Sequence, residues 1–203
     1  MWGVGCLVKP RPAGQRYGLF VSSVSSSGLF VWSGVSALVG AVMFTYKSVV
    51  ILATGKQPDY WFELALVFFG VSILLLVYAV RDRLDRSSVL ITMLGWVAAV
   101  GGGVAAVAYI IGGDDGLFGP AALVTMLSMV ITLFLVGGQI RRDQLLPKYS
   151  FGPRLLAWLF VISIPFGAVI SGIDERLLEV ALLGTVVGWV ILALGTLGRP
   201  STA

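Results

Sequence analysis

Six long stretches of this chain run without a charge at their centres, and five short polar connections separate them. A bilayer's hydrocarbon core is about 30 Å thick, and a helix needs roughly 20 apolar residues to cross it. The spacing predicts spans at 29–52, 61–80, 89–112, 120–140, 155–173 and 177–198. The expected fold class is therefore all-α, a polytopic integral membrane bundle of six transmembrane helices. Only 12% of the residues are charged, about half the usual share for a soluble domain, so the chain lacks the polar side chains to clothe a water-facing surface. The spans leave no room for a separate soluble domain. Residues 1–28 are expected to form a cytoplasmic N-terminal segment, and residues 29–203 one six-helix transmembrane domain.

Orientation follows from where the basic residues fall. Lys9, Arg11, Arg16, Arg81, Arg83, Arg86, Arg141, Arg142, Lys148, Arg154 and Arg199 all belong to one side. The other side receives Lys56 and Arg176, while Lys47 lies inside the first span. The positive-inside rule then predicts an N-in/C-in topology. The opposite connections carry Asp59, Glu63, Asp114, Asp115, Asp174 and Glu175, which agrees without adding proof. Topology accounts for the net charge of +4, so nucleic acid is not an expected partner. No apolar core accompanies the basic residues of the first 17 positions, so a cleaved signal peptide is not expected. Size and simplicity point to a multi-pass protein of a bacterial or archaeal cytoplasmic membrane. Trp61 is expected at a span start, and Trp32 and Trp158 near headgroups. Trp96 and Trp189 are expected deeper, within the bundle.

The chain has no histidine and one cysteine, Cys6. That removes His-ligated metals and haem, and the Ser-His and Cys-His nucleophile pairs. No glycine-rich phosphate loop, HExxH pair or GxSxG elbow is present. The acids are placed at or outside span ends, which argues against intramembrane aspartyl chemistry. No enzyme activity, cofactor or metal is expected.

Candidate functional residues are few. An ionisable residue within a span is a functional candidate by default, and Lys47 is one. Its alternatives are snorkelling to the headgroups and an ion pair with Glu63. Thr125, Ser128 and Thr132 recur at spacings of three and four, which places their hydroxyls on one face of the fourth helix. Met126 and Met129 adjoin that face. The row either lines a polar path or packs against a neighbour. Pro165 interrupts the fifth span and should kink it near Val161 to Ser163. The acidic turn at Asp114 and Asp115 reads as solvated, since calcium takes 6–8 oxygen ligands.

Small residues supply helix packing in lipid, where no hydrophobic drive brings helices together. Gly95, Ala99 and Gly103 recur every four residues in the third span, and Gly184 and Gly188 in the sixth. Ser36 and Gly40 offer a pair in the first. Gly101, Gly102 and Gly103 form a run that can loosen the helix. The clusters Arg81/Arg83/Arg86 and Arg141/Arg142 are candidates for anionic lipid headgroups.

Two functions from different classes fit these features. The first is a non-catalytic accessory or partner-binding membrane subunit, its partner another membrane protein or a second copy of the chain. The second is a small transporter or channel for an uncharged or weakly polar solute, built on Thr125, Ser128, Thr132 and the Pro165 kink. Proton or sodium coupling is not expected, for want of a carboxylate inside a span. A sensor of lipid state is a third reading, which the sequence does not separate from the first.

Overall fold

A computed structural model of the chain describes residues 26–198 apart from 57, 59–62, 85–87, 113–115, 147–148 and 175. The described residues are all-helical, with six helices long and apolar enough to cross a membrane. They are α1 (Ser26–Thr54), α2 (Ala65–Val80), α3 (Ser88–Gly112), α4 (Phe118–Arg142), α5 (Gly152–Ser171) and α6 (Leu177–Leu197). A 3-10 turn, Arg81–Arg83, extends α2. The expected 1–28 segment lies almost wholly outside the described residues, as do Trp61, Arg86, Asp114, Asp115 and Glu175.

The bundle buries small residues alongside a large apolar core and leaves many aliphatics on its outer face. Ala37, Ala98, Ala105 and Ala157 are fully buried, whereas Val42, Ile111 and Val169 are exposed. Outward aliphatics and inward small residues are what lipid solvation selects. Each helix packs on its chain neighbour, α6 returns to α1, and α2 also reaches α4. The result is a closed ring with α2 leaning inward, and its loosest seam lies between α4 and α5. The centre is solid. Phe69 of α2 stacks on Trp189 of α6 with centroids 4.2 Å apart and rings 10° from parallel. Phe160 of α5 meets Trp189 edge-on, and Ile73, Met129 and Leu133 fill the surrounding space.

Hydroxyls tie α1 to α2. Ser33 donates to the Ser72 carbonyl and Ser72 to the Ser33 carbonyl, each at 2.9 Å. Ser36 donates to the Phe68 carbonyl at 2.8 Å. Such bonds satisfy hydroxyls that lipid cannot solvate and contribute about 0.6–2 kcal/mol each.

The small-residue ridge of α3 does not follow the four-residue spacing. A methyl group at Gly102 would fall 2.6 Å from the Leu66 carbonyl, and one at Gly95 would touch Val77, both on α2. Gly70 of α2 approaches the Ala98 backbone just as closely. The ridge facing α2 is therefore Gly95, Ala98 and Gly102. Gly101 turns toward Thr125 of α4, and a methyl at Gly103 would meet open space. Two four-residue steps rotate about 80° away from the starting line, whereas three plus four residues return within about 20°. Gly103 is thus off the interface that Gly95 defines. In α6 the expected pair does share a neighbour, since Gly188 lies against Leu156 and Gly184 near Ser163, both on α5.

Trp189 is fully buried as expected, but Trp96 is 49% exposed on the outer face. Trp32 and Trp158 are exposed too. Helix α1 ends at Gly55, whose φ of +66° suits glycine. Its N–H bonds the Ile51 carbonyl at 2.8 Å. Before α6, the Asp174 carboxylate accepts the Arg176 N–H at 2.9 Å.

Candidate functional site, a polar cavity at one end of the bundle

Three ionisable side chains converge where α1 ends and α2, α4 and α6 begin. Lys47 of α1 donates to Glu63 at 2.5 Å. Its neighbour Ser48 donates to Glu179 in the first turn of α6 at 2.6 Å. All four are buried, with Lys47 and Glu179 each 9% exposed and Glu63 5%. Lys47, Glu63 and Glu179 line a cavity of about 280 Å³ together with Phe44, Leu66, Phe118, Ala122, Met126, Leu178 and Leu182.

Lys47 lies seven residues before the end of α1, or about 10 Å at 1.5 Å per residue. Glu63 meets it there, two residues before α2 begins at Ala65 rather than at the expected 61. Phe44, also on the cavity wall, is tilted against Phe69. Beneath it, the Phe69–Trp189 stack closes the bundle.

Lys47 therefore does not snorkel; its ammonium meets a carboxylate inside the bundle. An ion pair out of water repays its desolvation only with good geometry and further hydrogen bonds. Glu63 Oε1 takes one of the three N–H donors of Lys47, and the other two meet no acceptor among the described residues. Glu179 accepts from Ser48 through Oε2, and among the described residues Oε1 accepts nothing. A donor surplus and an acceptor surplus thus share one cavity, within walls that are otherwise aromatic and aliphatic.

Glu179 is the acid the sequence reading did not single out. It sits in the third position of α6, in the first turn, where the positive end of the helix dipole favours a carboxylate. Sequence reasoning passed over it because Asp174 and Glu175 precede it as an ordinary acidic turn. The available signal was Ser48, a second polar residue directly after Lys47.

The other expected residues lie elsewhere. Thr125, Ser128 and Thr132 are buried, and none of them lines the cavity. Thr125 donates to the Ala121 carbonyl and Ser128 to the Thr125 carbonyl, both within α4. Among the described residues, the Thr132 hydroxyl and the Trp189 indole N–H meet no hydrogen-bond partner. At one end of the row, Thr125 packs against Gly101 of α3. Met126 reaches the cavity, whereas Met129 belongs to the core. Pro165 is exposed on the outer face, and α5 continues through it from Gly152 to Ser171.

At the opposite end, Arg81, Ser88, Val89, Thr92, Met93 and Trp96 line a cleft of about 260 Å³. Trp96 donates its indole N–H to the Tyr78 hydroxyl at 3.2 Å, and the Arg81 guanidinium lies 5.7 Å from the centre of the Tyr78 ring. Arg83, Arg141 and Arg142 are exposed beyond that cleft. Compared with protein-family models, curated proteins and solved structures, the chain matches none.

Proposed function

We propose that this multi-pass membrane protein binds a small polar solute of no net charge in the Lys47/Glu63/Glu179 cavity, as the recognition site of a small transporter or channel. The observation that carries this reading is the convergence of three buried ionisable side chains on one half-open cavity. Its 280 Å³ approaches the lower end of the size range of ligand pockets, about 300–1,000 Å³. A single water needs only about 10–15 Å³, so three ionisable groups around a space of this size favour its hydration or occupation. The bias of basic residues supports an N-in/C-in topology in a cytoplasmic membrane, which turns the cavity toward the outside.

Cysteine accessibility tests the reading. On a Cys6→Ser background, Ala122→Cys lies in the cavity wall, whereas Ser128→Cys is buried away from it. A membrane-impermeant thiol reagent added outside intact cells is expected to label the first and spare the second. Equal inertness of both positions would remove the water-filled cavity and the reading with it.

A second reading, an accessory or partner-binding subunit, is favoured by one observation. Gly103 opens on an apolar groove lined by Val100, Val104, Val107, Ala108, Ile111 and Leu117. A small residue at the base of such a groove admits a close helix from another membrane protein or a second copy. Native mass spectrometry from lipid nanodiscs tests it: an assembly lost on Gly103→Leu supports it, and a monomer with no retained partner refutes it.

A further inference from the structure

We infer that the solute is a small zwitterion with an apolar body, its ammonium held by Glu179 and its carboxylate by Lys47. This deepens the solute-binding reading and rests on it. Ser48 bonds one Glu179 oxygen, leaving Oε1 to accept a charge-assisted hydrogen bond from an ammonium. Lys47 spends one donor on Glu63 and retains two for a carboxylate. Because Ser48 follows Lys47 on α1 and reaches Glu179, the two binding groups are held on neighbouring parts of one wall.

Formal charge narrows the class. The wall carries one lysine and two glutamates, and the positive ends of α2, α4 and α6 point toward the same end of the bundle. A ligand of either sign alone would leave one surplus unanswered, whereas a zwitterion answers both. A divalent metal ion fits poorly: magnesium and calcium favour six or more oxygen ligands, and one of the two carboxylates is already committed to Lys47. Phe44, Phe118, Met126 and Leu182 form the rest of the wall, suited to an aliphatic or aromatic side group. Phe44 and the aromatic stack below it limit the ligand's length.

Calorimetry on the full chain in nanodiscs tests the assignment, with L-alanine, L-leucine and L-phenylalanine as zwitterions. The matched analogues of leucine are 3-methylbutylamine, which keeps only the ammonium, and 4-methylpentanoate, which keeps only the carboxylate. At least one amino acid is expected to bind at least tenfold more tightly than either analogue. Glu179→Gln, which preserves shape and an acceptor for Ser48, is expected to weaken that binding at least tenfold. Ala122→Phe, which fills the cavity while leaving the three polar residues intact, is expected to abolish it. The assignment is overturned if either analogue matches the amino acids, if Glu179→Gln binds like the wild type, or if no amino acid binds. Should it fail while Ala122→Cys is labelled from outside, the zwitterion falls and the solute cavity stands. If Ala122→Cys is also inert, both fall.

Discussion

Breaking the Lys47–Glu63 pair from one side should cost far more than removing it from both. Lys47 and Glu63 are 9% and 5% exposed, so when its partner goes each charge has only the water of the cavity to compensate it. Truncating one member of such a buried pair typically costs about 3–5 kcal/mol, whereas replacing both with apolar or neutral groups is often close to neutral. Lys47→Met removes the cation from a wall that carries two carboxylates, and it belongs at the upper end of that range. Glu63→Gln leaves Lys47 with Glu179 on the same wall and belongs at the lower end. The double variant Lys47→Met/Glu63→Gln should fall within about 1–2 kcal/mol of wild type. The coupling from the double-mutant cycle is then at least about 3 kcal/mol. Reversible unfolding in mixed micelles, followed by tryptophan fluorescence, measures all four proteins. Single variants costing under about 1 kcal/mol, or costs that simply add, would show that the pair is solvated and refute the reasoning.

Three further outcomes follow from the packing. Thr132→Val removes a buried hydroxyl that meets no partner among the described residues at nearly constant volume, and should stabilise the bundle by about 1 kcal/mol in the same unfolding assay; destabilisation would mean the hydroxyl is bonded. Gly102→Ala drives a methyl into the Leu66 carbonyl and should cost about 1–3 kcal/mol. Gly103→Ala, one residue on, should be neutral or stabilising by up to about 1 kcal/mol, and equal effects at the two positions would contradict the ridge assigned above. Arg81→Gln should reduce the anionic phospholipid retained on native mass spectrometry, since Arg81 supplies the positive charge of a cleft with two hydroxyls and an indole; unchanged retention would remove that cleft as a headgroup site.

The helices were legible because a charge-free run of twenty-odd residues has few alternatives in lipid. Their faces were harder to read. Gly95, Ala99 and Gly103 satisfy a sequence rule that a straight helix does not obey over three members, and the true line steps by three and then four. The hydroxyl row in α4 does share a face, but periodicity cannot tell a wet face from a dry one. Lys47 stood out as a charge within a span. Its partnership with Glu63 crosses a connection, and the Ser48–Glu179 bond joins residues 131 positions apart. Such long-range pairing leaves no local mark. The cavity itself gathers residues from four helices, visible only once their registers are fixed.

The reciprocal serine bonds between α1 and α2 also bear on motion. Sliding one helix past the other by a single residue would break both bonds together and leave two buried hydroxyls to bond back to their own helices. That clasp makes α1 and α2 a single moving part, and Lys47 and Glu63 travel with it as a unit. The ring is loosest along the α4–α5 seam, on the side away from that clasp.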